Sequence, residues 1–230
     1  MIGEASGDAA RWAYLETPGI SPDLLRIAQA ERDADEILSW SPNSIDPLLW
    51  QPMFYTSYPD YRGSTADRVA KFDFEKHRGR AVIESSREGH PRALRFVTSL
   101  AALQQANMAG AGHGEHIAGI SELPGASIHV FEDLSKVWPG QLVGGFRIIG
   151  GENDTLAVAE HALGVEITDD PDKIEELTDR FHHLNSMAKP LGEITVPKSV
   201  EQVPPSYTDH GPHPTAPGAP GRAVINAPSL

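Results

Sequence analysis

The histidines are the first residues whose types and spacing suggest chemistry. His113-Gly114-Glu115-His116 sets two imidazoles three residues apart beside a carboxylate. On a helix they would share a face, as metal ligands must. The spacing is one residue short of the H-E-x-x-H pattern. Gly110, Gly112 and Gly114 also speak against a helix there. The expectation is therefore a solvated glycine-rich loop, with no metal and no other cofactor. His182-His183 are adjacent and point in different directions, so they do not easily serve one site. They read as surface residues, and His210 and His213 as inert.

A second group is His129, Glu132, Asp133, Glu160 and His161. If residues 126–131 and 156–160 are paired strands, His129 and His161 approach one another. A histidine beside a carboxylate is general acid–base equipment. The alternative is ordinary strand residues on a solvated sheet face. A third group is aromatic: Trp50, Phe54, Tyr55, Tyr58 and Tyr61 fall within twelve residues rich in proline. Such a segment forms a ligand wall or a protein interface, or else packs irregularly on a sheet. Trp138-Pro139-Gly140 would close the rim of a pocket shared with the strand ends, with Phe146 beside it. Trp50, Phe54, Tyr55, Tyr58, Trp138 and Phe146 are the pocket candidates.

Other chemistries drop out. The chain has no cysteine, which removes disulfides, thiolate metal sites and a thiol nucleophile. It has no G-x-S-x-G, P-loop or G-x-G-x-x-G sequence.

The elements that must position these residues follow from periodicity. Ser21 caps a helix that opens on Pro22 and Asp23. Its apolar stripe, Leu24, Ile27, Ala28, Ala34, Ile37 and Leu38, runs on to Trp40. Ser41-Pro42-Asn43 ends it. A second helix covers Ser64 to Glu84, weakened by Gly79. Strand character begins at Leu94. A short helix spans Leu100 to Ala106, and Ile117, Ile120 and Leu123 fit one more helical turn. Further strands are read at Ala126–Phe131, Phe146–Ile149, Leu156–Glu160 and Val165–Thr168. A closing helix starts at Asp169-Asp170-Pro171 and carries Ile174, Leu177, Phe181, Leu184 and Ala188 at steps of 3, 4, 3 and 4. The expected class is α+β: N-terminal helices, a mostly antiparallel sheet of about four to five strands, and a closing C-terminal helix.

Composition bounds the rest. In 230 residues, 32 acidic and 19 basic side chains leave a net charge of -13, which opposes binding to phosphate backbones. No stretch approaches the ~18 apolar residues of a membrane span, and the first nineteen residues lack a signal-peptide apolar run. The expected location is the cytoplasm. From Pro197 onward proline and glycine dominate and large apolar residues are few. The expected organisation is an extension over 1–19, one domain over 20–195, and a disordered tail over 196–230.

The order of features from about Ala30 to Glu193 resembles a domain of unknown function. It is the effector-like domain that follows an Xre-type helix-turn-helix in actinobacterial antitoxin-like transcription regulators. An acidic helix, Glu31-Arg32-Asp33-Ala34-Asp35-Glu36-Ile37, leads to Asp46-Pro47-Leu48-Leu49-Trp50-Gln51 and Tyr55, where the family has "VPGLLQT–YAR". The strand Pro124 to Phe131 matches "P-N-V-T-V-Q-V-L-P". Gly144-Gly145-Phe146 matches "GPF", and Leu156 to Glu160 matches "VVYVE". Phe181, Leu184 and Ala188 match the closing helix. Leu100 stands where the family is acidic, Gln104-Gln105-Ala106 replace "RRP", and only about 20 residues precede the first helix. The resemblance implies a regulatory domain, not an enzyme, that binds a small molecule or small partner protein and a second copy of itself. Direct contact with nucleic acid or membrane is not expected. The rival expectation is a small biosynthetic-type enzyme on the same scaffold, with His129, Glu132, Glu160 and His161 as acid–base groups.

Overall fold

A computed structural model describes residues 11–51, 65–88, 92–109, 112–136, 144–152, 154–161 and 164–195. The expected tail over 196–230 lies outside them.

Helix α1 (Pro22–Asp33) starts where expected. The Ser21 hydroxyl accepts the Leu24 N–H at 3.3 Å, with proline at the first helical position. It stops earlier than its stripe suggests. Ala34 is extended, and Glu36–Ser41 forms strand β1. Ile37, Leu38, Ser39 and Trp40 are all buried. A strand covered on both faces reads as a continuous apolar run, and this one extends the α1 stripe in phase. The single long helix expected over Ser21 to Trp40 is thus a helix followed by a strand.

Helix α2 (Thr65–Arg87) follows, then β2 (Ala93–Ser99), α3 (Leu100–Ala109), α4 (His113–Ser121) and β3 (Ala126–Phe131). Strands β4 (Phe146–Gly150), β5 (Thr155–His161) and β6 (Gly164–Thr168) form a meander. Helix α5 (Pro171–Met187) and a two-residue β7 (Lys189–Pro190) close the described chain. The strands run β6-β5-β4-β1-β2-β3-β7 across one sheet. The pairs β1–β2 and β2–β3 are parallel; the other pairs are antiparallel. Seven strands among the described residues exceed the four to five expected. The surplus is β1, hidden in the helix pattern, and β7, too short to show a period. The class is mixed α/β, with helices α2 to α4 occupying the crossovers between the parallel strands.

Alternation along each strand divides the core in two. Ile37, Leu94, Phe96, Ile128, Val130, Ile149 and Val158 face helices α1 to α4. Leu38, Trp40, Val97, Phe131, Phe146, Ile148 and Ala157 face α5, which buries Phe181 and Leu184 completely. The α5 stripe read from sequence therefore does what its spacing predicts. Trp12 and Tyr14, within the segment expected as an extension, are buried in the first of these clusters. Gly79 of α2 packs on the 3-10 turn Pro47–Leu49, where a Cβ would make an ordinary 3.5 Å contact with Leu48 Cα. No helix among the described residues is long and apolar enough to cross a membrane.

Candidate functional site

The switch between parallel and antiparallel pairing occurs at β1. To one side lies β2, reached through α2; to the other lies β4, which the chain reaches only after completing β3. Ligands of α/β sheets settle outside the carboxyl ends of strands at such a reversal, where neighbouring connections diverge. A crevice of about 450 Å³ opens there. Its walls are Ser39 and Ser41 of β1, the following residues 42–44, Asp46 and Pro47, residues 144–147 and Val158.

Three lining residues, Val158, Arg147 and Ser39, belong to one cross-strand row. In register, Ile167, Val158, Arg147, Ser39, Phe96 and Ile128 cross the sheet from β6 to β3. Two polar side chains occupy its middle. The Ser39 hydroxyl donates to Asp46 Oδ2. Arg147 donates to the same oxygen from Nε at 3.0 Å, with Nη2 at 2.9 Å. Asp46 Oδ1 accepts the Leu48 N–H at 2.7 Å and so also fixes the turn after β1. Arg147 Nη1 donates to Glu31 Oε1 of α1 at 2.7 Å. Glu31 Oε2 lies 3.4 Å from Arg78 Nε of α2, and Arg78 Nη2 is 3.0 Å from Glu75 Oε2.

Glu31 is wholly buried and Arg147 only 5% exposed. Isolated charges at such depth cost several kcal/mol each, so the network persists because its members are paired. Burial pushes the Glu31 carboxyl up, and Arg78 and Arg147 pull it back. Burial and the neighbouring Glu31 also raise the Tyr14 phenol.

The crevice wall after β1 is pinned to β2. Thr98 Oγ1 donates to Ser41 O at 2.8 Å, and Ser99 Oγ donates to Pro42 O at 2.6 Å. Ser99 Oγ also accepts the Ala102 N–H at 3.0 Å and so starts α3. On the opposite wall Gly145 passes close to β1: a Cβ there would come within 3.1 Å of Trp40 O.

The residues singled out in the sequence lie elsewhere or are scattered. Strands β3 and β5 do not pair; β2, β1 and β4 stand between them. At about 4.8 Å per strand, four gaps put His129 and His161 on the order of 19 Å apart. His129 Nδ1 pairs with Asn185 Oδ1 of α5, and Glu132 pairs with Lys189. Glu160 and His161 lie on β5, with their side chains outside the described residues. His182 and His183 are exposed.

Of the aromatic group, Phe54, Tyr55, Tyr58, Tyr61 and Trp138 lie outside the described residues. Trp50 is half-buried against the α1–α4 side of the core and donates its indole N–H to Ile45 O at 2.9 Å. Phe146 is packed against the α5 side. The sheet thus separates these two, although Phe146 does border the crevice.

His113 is not in a solvated loop. It begins α4 after Gly112, whose positive φ of 86° turns the chain into the helix, and it is buried. Its ring lies 6.2 Å from that of His116. Burial and His116 hold the His113 pKa down at about 4, and burial together with Arg87 lowers His116. No cluster of three metal-ligating side chains occurs among the described residues.

Ser39, Asp46, Glu31 and Arg147 escaped the sequence reading, though two of them left a signal. Glu31 falls seven residues after Leu24, in phase with Ile27 and Ala28 on the buried stripe of α1. Arg147 interrupts the apolar strand Phe146–Gly150. Charged residues in apolar phase mark a buried network.

Comparison with curated proteins and with solved structures gave no match. A family model does match, over residues 24–195, which takes in all but the first two residues of α1, the whole sheet and α5. That covers most of the chain, crevice and buried network included, and the chain belongs to this family, described as Domain of unknown function (DUF5753).

Proposed function

We propose that this domain is a regulatory binding module that takes up a small molecule in the crevice between β1 and β4. In this reading it is the effector part of an antitoxin-like transcription regulator and does not itself touch DNA. The observation that carries the reading is the crevice. It sits at the topological reversal, falls within the ~300–1,000 Å³ range of small-molecule sites, and has walls pinned by the Thr98 and Ser99 hydroxyls. Preorganised walls favour binding because little ordering is left to be done when a ligand arrives. The buried ions beneath link the crevice to α1 and α2, which gives a bound molecule a route to outer surfaces. The regulatory part rests on the resemblance to regulator effector domains. A net charge of -13 supports the absence of direct DNA contact.

The test is a thermal-shift screen of metabolites against wild type and Asn43→Trp, which places an indole at the crevice mouth from an exposed position. A ligand at a hundred times its Kd adds about 2.7 kcal/mol, or roughly 5–10 °C in Tm for a domain this size. The expected result is a compound that shifts wild type and not Asn43→Trp. Shifts that are equal in the two proteins, or no shift from any compound, overturn the reading.

A further inference from the structure

The charges at the crevice satisfy one another, and this decides which ligand chemistry the site favours. Among the described residues, Asp46 and Arg147 are the charged side chains of the lining. Asp46 receives the Leu48 N–H, the Ser39 hydroxyl and two guanidinium nitrogens of Arg147. A carboxylate with two oxygens has about four acceptor positions, so Asp46 has little left to offer a ligand cation. Arg147 is engaged at all three nitrogens, by Asp46 and by Glu31. Beneath it, Glu31 is shared with Arg78, which also meets Glu75. Three carboxylates thus face two guanidiniums, so a ligand anion would enter a field without surplus positive charge. Among the described lining residues, neither a ligand anion nor a ligand cation meets a counterion that is not already engaged.

The remaining polar groups are small and neutral. Ser41 shares a hydroxyl contact of 3.3 Å with Ser39, whose own proton goes to Asp46. Asn43 is exposed at the mouth, Ser44 is half-buried, and Gly144-Gly145 contribute backbone to the lining. Hydroxyls act as both donors and acceptors, and so do the groups of a polyol. Val158, beside Arg147 in the cross-strand row, supplies an apolar edge of the kind that a sugar's C–H face or a base can meet.

Resting on the crevice reading above, we infer that the ligand is an uncharged polyhydroxylated molecule, one that presents sugar hydroxyls either as a free saccharide or as a nucleoside. Hydroxyl-to-hydroxyl recognition discriminates by leaving buried polar groups unpaired when the wrong ligand enters, and a phosphate or ammonium group in this crevice meets that penalty.

The experiment is a titration of the ¹⁵N-labelled full chain, followed at the amides of Ser41, Asn43, Ser44, Gly144 and Gly145. The neutral probes are glucose and adenosine. Their charged counterparts are glucose 6-phosphate, adenosine monophosphate and glucosamine. At least one neutral probe should shift these amides and bind at least tenfold more tightly than its charged counterparts. Glucose against adenosine separates the saccharide source from the nucleoside source. Ser41→Ala should weaken that binding at least threefold with an unchanged Tm. If charged probes bind more tightly, or if Ser41→Ala leaves the neutral affinity intact, the ligand class is wrong while the crevice reading stands. If no probe of either kind moves these amides, both are overturned.

Discussion

Ser39 on β1 and Arg147 on β4 are register partners, and both donate to Oδ2 of Asp46, seven residues beyond Ser39 in the chain. One carboxylate therefore ties a central strand pair to the loop that leaves it, at the place where the crevice opens. The two strands come from opposite halves of the sequence, so the tie forms only in the folded domain.

Removing one partner from this network should cost far more than removing the pair. Arg147→Met leaves Glu31 and Asp46 with buried negative charge, at about 3–5 kcal/mol. The double variant Glu31→Leu/Arg147→Met should recover the part of that loss due to Glu31, because Arg78 keeps Glu75 while Asp46 keeps only the Ser39 hydroxyl and the Leu48 N–H. Urea denaturation of the two proteins measures it, and equal losses would show that the ions do not depend on one another.

The closing helix should behave as a plug. Phe181 is fully buried against Leu38, Trp40 and Phe146. Phe181→Ala should therefore destabilise by about 3–5 kcal/mol. Met187, on the same helix and 41% exposed, should tolerate alanine within about 0.5 kcal/mol. Denaturant midpoints of the two variants compare the positions directly.

Two glycines should respond oppositely to alanine. At Gly79 the new Cβ would make ordinary 3.5 Å contacts with Pro47 and Leu48, and the helix gains up to about 1 kcal/mol of propensity. At Gly125, φ is +82° and the Cβ would fall 2.4 Å from Arg92 O. Gly125→Ala should be clearly destabilising, because both the conformation and the space exclude a side chain. Thermal melts of Gly79→Ala and Gly125→Ala should move in opposite directions.

Acid should loosen α4. His113 titrates near 4 in the fold against an ordinary value of 6.5, and His116 is lowered as well. The unfolded chain then binds protons more readily than the folded one, so these groups favour unfolding increasingly as pH falls from about 6.5 towards 4. The Tm should drop across that window. In His113→Leu/His116→Gln the drop should be smaller over the same window, even though carboxylates titrate there too. Identical pH profiles would remove the two histidines from the acid response.

Much of the fold is written locally. Ser21-Pro22-Asp23 and Asp169-Asp170-Pro171 announce helix starts because capping is decided within a few residues. The α5 stripe and strands β2 to β6 are legible because each has one dominant period. Strand β1 is not: buried on both faces, Ile37 to Trp40 shows no alternation and continues the apolar phase of α1. The parallel pairing of β1, β2 and β3 is likewise absent from local pattern, since the partners lie 57 residues apart (Glu36 and Ala93) and 32 residues apart (Leu94 and Ala126) and are chosen by burial. The crevice belongs wholly to tertiary structure. Asp46 looks like a surface charge, Glu31 and Arg147 show only an apolar phase and not their partners, and His129, Glu160 and His161 look like a site. Strand order alone decides between the two sets. It brings Ser39 beside Arg147, and it places three strands between β3 and β5. Charges more than a hundred residues apart become a paired network once the surrounding core removes water from around them.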